Sequence, residues 1–243
     1  GEALFLRALT YFDLVKFFGG VPLRTAGVTN YGADLDIARS SADDIYAQVI
    51  SDLTDAYAKL PVSNGEFADR YAAQALLARV YLQQGNFASA LAASNDVLQN
   101  SGHSLASTFR GAFNNDSDSS EDIFAFQVTS QDGSNVLISH YADQPYGGRG
   151  GDIVVDTYRT LFDSSLDSRL FFFYYSSFNG GILTGKYTNE YGNVPTIRVA
   201  EMHLIRAEAN FRLGSSTGLA PLTEINALRG RSGAPALSSL SLD

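Results

Sequence analysis

The stretch Asp69–Leu98 constrains the fold most, because small and apolar side chains recur in it at the spacing of two consecutive helices. The break between these helices falls at Gln84-Gly85-Asn86, where glycine and asparagine tolerate the backbone conformations that end a helix. A small residue such as Ala78 lets two helices cross closely, whereas a larger side chain would push them apart. The stretch therefore predicts a helical hairpin with helices at 69–84 and 86–100.

A second copy of this register lies towards the C-terminal end, in Leu204–Gly214 and the following Ala220–Arg229. The spacing from Ala207 to Gly214 equals that from Ala78 to Gly85 in the first hairpin. The positions that match the small, tyrosine, turn and second small residues of a tetratricopeptide (TPR) repeat are Ala78, Tyr81, Gly85 and Ala90. The sequence therefore predicts a second hairpin, with helices at 196–213 and 219–229, and a mainly α fold of TPR-like hairpins.

The chain between the two hairpins differs from them in composition. Residues 102–195 contain 16 of the 29 tyrosines and phenylalanines and half of the 22 glycines. We therefore predict one domain over residues 1–243, with a large irregular insertion of loops and short strands. Its parts are a helical region at 1–101, the insertion at 102–195, the second hairpin at 196–231 and a tail at 232–243.

Further elements follow from local signals. A helix at 2–18 ends at Gly19-Gly20, and another begins with a capping box at Ser41 and Asp44 and stops at Pro61. Within the insertion we expect a short helix or turn at 109–113, a strand at 122–129, a long polar loop at 130–151, a short helix at 155–162, and strands at 170–175 and 182–187.

Composition excludes several classes of protein. The net charge of −9 argues against binding to nucleic acid, because phosphates need clustered lysines and arginines. The absence of cysteine removes disulfides, thiolate metal ligands and a cysteine nucleophile. No apolar run reaches transmembrane length. The chain begins at Gly1-Glu2-Ala3, already inside a helical pattern, so we expect it to be a fragment of a longer protein.

Several motifs, in order, resemble those of the SusD/RagB family of Bacteroidetes outer-membrane glycan-binding lipoproteins. They are Gly1–Ala3, Phe5–Ala8, Tyr11–Val15, Phe18–Leu23, Arg39–Ser41, Ile45-Tyr46, Asp52-Leu53, Leu60-Pro61, Ala200-Glu201, Leu204-Ile205, Ala207–Ala209, Asn226, Arg229 and Arg231. The resemblance covers most of the chain. It implies a SusD-like α-α superhelix that captures a glycan at the cell surface, with neither catalysis nor a cofactor.

The same resemblance implies a partner and a location. The partner would be a TonB-dependent porin of the SusC type, on which the protein docks as a lid during nutrient uptake. The location would be the extracellular face of the outer membrane, through an N-terminal lipid anchor that this chain lacks. The family's acidic and arginine-rich motif beyond the second hairpin is also missing. Because the chain has no tryptophan, any sugar platform must be tyrosine or phenylalanine.

A glycan site needs flat apolar faces for a sugar ring and amides, carboxylates or guanidinium groups for its hydroxyls. The loop 130–151 offers two tyrosines among polar residues, and loops of this length are commonly functional. We predict that it binds the glycan, with contacts from Asn135, Tyr141, Asp143, Gln144, Tyr146 and Arg149; His140 lies in the same cluster. The glycines around Arg149 would let the backbone approach a ligand closely. The other interpretation is that these tyrosines fold the loop onto the helices.

Other motifs have simpler interpretations. A second aromatic group favours core packing; it comprises Tyr174, Tyr175, Phe178, Tyr187 and Tyr191. The GxSxG match at Gly214–Gly218 lies between two helices rather than after a strand. Asp116, Asp118 and Glu121 lack the central glycine of a calcium loop and indicate a solvated loop with a helix cap. The three histidines have no metal-ligand spacing, so no metal site is predicted.

Three functions remain to be distinguished. A glycan-binding surface predicts exposed tyrosines beside polar groups in the insertion. A TPR-type scaffold for protein partners, without sugar contact, predicts a bare concave helical groove. A glycoside hydrolase requires two carboxylates facing each other across a cleft.

Overall fold

The computed structural model describes residues 1–30, 36–131, 133–150, 160–162 and 165–241, and the fold is mainly α, as predicted. The described helices are α1 (Glu2–Phe18), α2 (Ala42–Lys59), α3 (Arg70–Gln83), α4 (Phe87–Asn100), α5 (Val136–Tyr141), α6 (Val199–Leu213) and α7 (Pro221–Arg231). The described strands are β1 (Asp122–Phe126), β2 (Phe173–Ser176), β3 (Gly181–Thr184) and β4 (Val194–Arg198). Among the described residues, no helix combines the length and apolarity needed to cross a bilayer.

The two predicted hairpins are confirmed as α3–α4 and α6–α7. Asn86 caps α4 by accepting a hydrogen bond from the Ser89 amide, and Gly85 supplies the positive φ of the turn. Ala78 and Ala207 are both buried. Helix α4 packs against α6, so the hairpins stack on each other and share one core.

The N-terminal helices complete this frame. The capping box of α2 is confirmed, because the Ser41 side chain accepts from the Asp44 amide while the Asp44 carboxylate binds back to the Ser41 backbone. Helix α1 buries Phe5 and Phe12 against α2 and α3. The Phe5 ring also meets that of Phe124 in β1, with 4.8 Å between centroids. The helical core therefore extends onto the start of the insertion.

The helix predicted at 196–213 begins three residues late, because residues 196–198 belong to β4. Strand β4 pairs antiparallel with β1, bringing Phe124 opposite Ile197 and Phe126 opposite Val194. The β-branched residues of this segment favour the pleated conformation, and the partner strand was not visible from the local pattern. Strand β1 itself ends at Phe126 rather than at residue 129.

Three expectations within the insertion need revision. The loop 130–151 is not simply a loop, because it contains α5 and a 3₁₀ turn at Gln144–Tyr146. The strands predicted at 170–175 and 182–187 are shorter, since Leu170–Phe172 and Gly185–Tyr187 are 3₁₀ turns. Residues 109–113 contain a 3₁₀ turn at Arg110–Ala112, in agreement with the predicted short helix or turn. Most of the helix predicted at 155–162 lies outside the described residues.

Buried ion pairs join the insertion to the helical frame. Glu121 is fully buried and binds Arg198 and Arg231. The prediction of a solvated loop and helix cap is therefore wrong for Glu121, whose burial the polar sequence around it concealed. Arg79 in α3 also forms a two-pronged pair with Glu201 in α6, and this partly exposed pair joins the two hairpins.

Candidate functional site

A cleft of about 530 Å³ opens in the insertion. Its walls are mostly aromatic, with a few polar groups between the rings. The described residues that line it are Phe109, Tyr141, Phe162, Arg169, Phe172, Phe173, Thr184, Lys186 and Tyr187. The cleft lies in the size range of small-molecule sites, so it is the strongest candidate for a ligand site.

The hairpin β2–β3 builds one wall of this cleft. Phe173 pairs with Thr184 across the two strands, and both side chains line the cleft. Because side chains alternate between the faces of a strand, Tyr174 and its partner Leu183 point to the opposite face, where Leu183 is fully buried. One face of the hairpin is therefore buried in the protein, and the other face lines the cleft.

The rings of the cleft stand at different angles to one another. The centroids of Tyr141 and Tyr187 are 5.3 Å apart with a 37° angle between their planes. Phe109 meets Phe172 edge to face at 5.3 Å. The Phe172 ring also packs against Phe113, with 5.0 Å between centroids, in a small hydrophobic cluster separate from the helical core. The arrangement gives the cleft rigid apolar surfaces that stack well against flat or weakly polar ligand faces.

Two cations lie among these rings. Arg169 holds Asp167 in a two-pronged pair, with 2.5 Å between Nη2 and Oδ2, and this pair keeps the pKa of the buried Asp167 carboxyl below its usual value. Lys186 extends over the ring of Phe113, with Nζ 5.3 Å from the centroid. Burial lowers the pKa of Lys186, and the nearby Arg198 lowers it further. Arg169 is thus neutralised within the chain, whereas Lys186 forms no such pair with the residues that the structure describes.

Of the six predicted site residues, only Tyr141 lines the cleft. It is the last residue of α5, so the helix carries its ring to the cleft wall. Asn135 lies at the other end of α5 and is buried. Its side chain accepts from the Leu137 amide as the helix cap and donates to the Gly192 carbonyl, so its polar groups are used in holding α5 against the chain near β4.

Asp143 is also buried, and its partner is Tyr174. The Tyr174 hydroxyl donates to Asp143 Oδ1 at 3.2 Å and accepts from the Asp143 amide at 3.1 Å. Burial, with the neighbouring carboxylate, raises the pKa of Tyr174 to about 12. Asp143 therefore ties the loop to the inner face of the β2–β3 hairpin. Tyr174 is half-buried and contacts Asp143 and Tyr146 rather than either hydrophobic core cluster, so the expectation of core packing is not confirmed for it.

Gln144, Tyr146 and Arg149 remain exposed on the same loop. Tyr146 presents its ring edge to face with Tyr174 at 5.5 Å. The loop is pinned to the hairpin turn, since the Asn179 side-chain amide donates to the carbonyls of Arg149 and Gly150. These three side chains therefore stand on a loop that is fixed at both ends.

The glycines flanking Arg149 serve contacts within the chain. A Cβ atom on Gly148 would lie 2.0 Å from the Ala142 carbonyl oxygen, and Gly150 has a positive φ with the Asn179 side chain directly against it. From the sequence, we predicted that these glycines let the backbone approach a ligand closely. The structure shows that the close approach is made by the end of α5.

The second aromatic group is not a core cluster throughout. Tyr175 and Phe178 are 69% and 63% exposed, so the expectation of core packing is wrong for them. Tyr187 is half-buried and lines the cleft. Sequence reasoning missed Phe173, Thr184 and Lys186 as site residues. The period-two alternation of Phe173 and Tyr175 in a short strand was the available signal, because it separates these rings from Tyr174.

The remaining candidate motifs have structural partners. In the loop Gly214–Gly218, the Ser215 hydroxyl and the Thr217 amide donate to the Asn210 side chain, which lies in the last turn of α6. His203 contacts Glu224, a buried carboxylate also held by Arg206. Within the described part of the chain, no group of three or more His, Asp or Glu residues is arranged to hold a metal ion.

Comparison with protein families gives two matches. A SusD-like family described as starch-binding and associating with the outer membrane matches residues 1–82, and the SusD family matches residues 172–240. A SusD-like protein of Formosa agariphila is 31% identical over 120 residues, which cover 48% of this chain and 24% of that protein. The chain therefore corresponds to a minor part of the length of this curated relative.

Solved structures share the whole fold. Surface glycan-binding protein A from Bacteroides uniformis superposes with a TM-score of 0.83 at 20% identity, covering 100% of this chain and 60% of that one. A SusD-like carbohydrate-binding protein from Bacteroides fragilis gives 0.82 at 22% identity, covering 99% and 60%. The family matches fall on both helical ends, and the structural match spans the insertion between them. The chain is therefore similar to SusD-like families over residues 1–82 and 172–240, and it shares the fold of SusD-like structures along its length.

Proposed function

We propose that this chain binds a glycan in the insertion, as part of a non-catalytic surface protein. The single observation that carries the proposal is the aromatic cleft, in which Tyr141 and Tyr187 present their rings beside Thr184. The C–H face of a pyranose ring stacks on such aromatic surfaces, and the tyrosine and threonine hydroxyls can bond sugar hydroxyls. Surface glycan-binding protein A and the SusD-like carbohydrate-binding protein, which share this fold, support the same class of ligand.

We further propose roles for the six predicted residues. Tyr141 contacts the glycan within the cleft. Gln144, Tyr146 and Arg149 contact sugar units of the glycan that extend beyond the cleft. Asn135 and Asp143 hold the backbone beneath these side chains, because their polar groups are already engaged with Gly192 and Tyr174. A recognition surface fixed in this way loses little conformational entropy on binding.

The wider role rests on the similarity of the chain to SusD-like families. We propose that the complete protein sits on the extracellular face of the outer membrane through a lipid anchor and delivers glycan to a SusC-like TonB-dependent porin. Capture and release by such a lid require only transient closure over the porin. Co-isolation of the complete, lipidated protein with a TonB-dependent porin tests this role, and repeated failure to co-isolate would reject it.

Binding by the cleft can be tested directly. In affinity gels that contain plant or host polysaccharides, the complete protein should be retarded by its cognate polymer. Oligosaccharides should bind more tightly than single sugars, with affinities from about 1 mM to 1 μM, roughly −4 to −8 kcal/mol. The double variant Tyr141→Ala/Tyr187→Ala should lose this binding, because it removes two ring faces from the cleft.

The controls separate the cleft from the rest of the surface. Phe17→Ala removes a ring that is 79% exposed on α1, far from the insertion in sequence, and should leave binding unchanged. Tyr146→Ala should weaken binding of long oligosaccharides more than that of short ones. Unaltered retardation of the double variant would place recognition outside the cleft, and release of reducing ends from the polymer would refute the non-catalytic proposal.

A further inference from the structure

The ammonium group of Lys186 is unusual among the charges of the insertion. Its side chain is half-buried in the cleft wall, with Nζ over the ring of Phe113. Within the described residues it has no carboxylate partner, and the charged group that acts on it is Arg198, another cation. An ammonium that has lost part of its hydration without gaining an anion is in an unfavourable environment.

Two arginines of this region, Arg169 and Arg198, each have a carboxylate partner. Arg169, the other cation of the cleft, is bound in a two-pronged pair by the buried Asp167. Arg198 is bound by the buried Glu121. The chain thus supplies a carboxylate to each of these guanidinium groups, while Lys186, which also lines the cleft, has no carboxylate partner among the described residues.

A ligand that brings its own anion would fill this position. An anion beside a half-buried ammonium forms a charge-assisted hydrogen bond, which is shorter and stronger than a bond between neutral groups. The aromatic walls formed by Tyr141, Tyr187 and Phe173 would meanwhile cover the apolar face of the ring that carries the anion. The combination of stacking faces and an unneutralised cation selects a sugar that bears negative charge.

We propose that the cleft recognises an acidic glycan, with the anionic substituent of one sugar seated on Lys186. This inference rests on the proposed glycan-binding function and names its ligand class. A uronic acid carboxylate and a sulfate ester share the chemistry that Lys186 would recognise. The overall charge of −9 does not oppose this, because the interaction is local and the charged group that acts on Lys186 is Arg198, another cation.

The test compares polymers that differ only in charge. Affinity gels are prepared with polygalacturonate, with the same polymer after its carboxyl groups have been reduced to alcohols, with carrageenan and with its desulfated form. The complete protein should be retarded at least tenfold more strongly by an acidic polymer than by its neutral counterpart. Preference for polygalacturonate identifies the carboxylate as the ligand, and preference for carrageenan identifies the sulfate.

Three variants assign the preference to Lys186. Lys186→Met keeps an unbranched side chain but removes the charge, and should abolish the preference for the acidic polymer over its neutral counterpart. Lys186→Arg retains the charge and should keep most of the preference. Lys59→Met is the matched control, because Lys59 is an exposed residue of α2 paired with Asp55, and should behave as wild type.

A second measurement guards against misfolding. Because Lys186→Met removes a half-buried charge that has no carboxylate partner in the described part of the chain, its melting temperature should equal or exceed that of the wild type. Polygalacturonate oligomers or sulfated galactan oligomers should raise the wild-type melting temperature and not that of Lys186→Met.

The outcomes separate the two proposals. Equal retardation by charged and neutral polymers that depends on Tyr141 and Tyr187 would overturn the acidic-ligand inference and leave glycan binding intact. An acidic preference that survives in Lys186→Met would also overturn it. Retardation by no polymer of either kind, across the wider polysaccharide panel as well, would reject glycan binding together with the inference.

Discussion

Replacing Glu121 with Gln should destabilise the protein severely, because this carboxylate neutralises two arginines inside the fold. Glu121 is fully buried, and its oxygens accept from Arg198 Nη1 at 3.2 Å, from Arg231 and from the Ala106 amide at 3.1 Å. The variant Glu121→Gln keeps the size of the side chain but leaves both guanidinium groups without their counter-charge. Breaking a buried pair in this way costs about 3–5 kcal/mol.

The magnitude expected here lies at the lower end of that range. The side chains of Arg198 and Arg231 are 23% and 10% exposed, so water screens part of the charge left behind. We therefore expect a loss of about 3 kcal/mol, which for a chain of this size lowers the melting temperature by about 6–12 °C. Urea unfolding monitored by circular dichroism gives the free energy, and the slope with urea shows whether unfolding remains cooperative.

The matched control is Glu208→Gln. Glu208 pairs with Arg212 one turn away on the exposed face of α6, so its loss should cost no more than about 0.5 kcal/mol. If Glu121→Gln and Glu208→Gln destabilise equally, the buried carboxylate does not hold the insertion to the helical frame, and the reasoning is wrong.

Three further predictions concern packing, titration and backbone contact. Ala78→Leu should overpack the α3 hairpin and cost about 1–3 kcal/mol; an unchanged melting temperature would contradict the close packing. Tyr174 should titrate near pH 12 in the wild-type minus Tyr174→Phe absorbance difference at alkaline pH. Since the pKa in the unfolded chain is about 10, the contribution of Tyr174 to stability is complete below pH 10 and is lost as pH rises towards 12. A midpoint near 10 would contradict its partial burial beside the Asp143 carboxylate. Gly148→Ala should make the loop more susceptible to proteolysis, because the added methyl group clashes with the Ala142 carbonyl oxygen. Gly27→Ala should leave the rate of proteolysis unchanged, because its methyl group has no atom within 4 Å.

The helical frame could be predicted because its signals are local. The capping box at Ser41 and Asp44, the turn at Gly85 and the small-residue register of α3 and α6 each act over a few residues. The structure confirms all of them. The start of α6 was misplaced because β4 forms only by pairing with β1, some seventy positions earlier in the chain. Pairing over such a distance leaves little trace in the local pattern.

The candidate site was predicted only in part for the same reason. Tyr141 was identified because its loop is conspicuously long and polar. Lys186 and Phe173 were missed, since their place in the cleft depends on the register of β2 against β3 and on the turn that follows. Asp143 and Asn135 were predicted as ligand contacts from their chemistry. Their burial depends on Tyr174 and Gly192, which lie 31 and 57 positions away.

The antiparallel pairing of β1 with β4 has an evolutionary consequence. It joins the two ends of segment 127–193 at one point on the helical frame, with Phe126 opposite Val194. The entropic cost of closing a loop rises only slowly with its length, so residues can be inserted or deleted within the segment at little expense to the hairpins beneath. Mutation can therefore reshape the cleft and change the ligand while the frame stays the same. The helical frame is thus the constant part of the fold, and the segment 127–193 is the part that can vary.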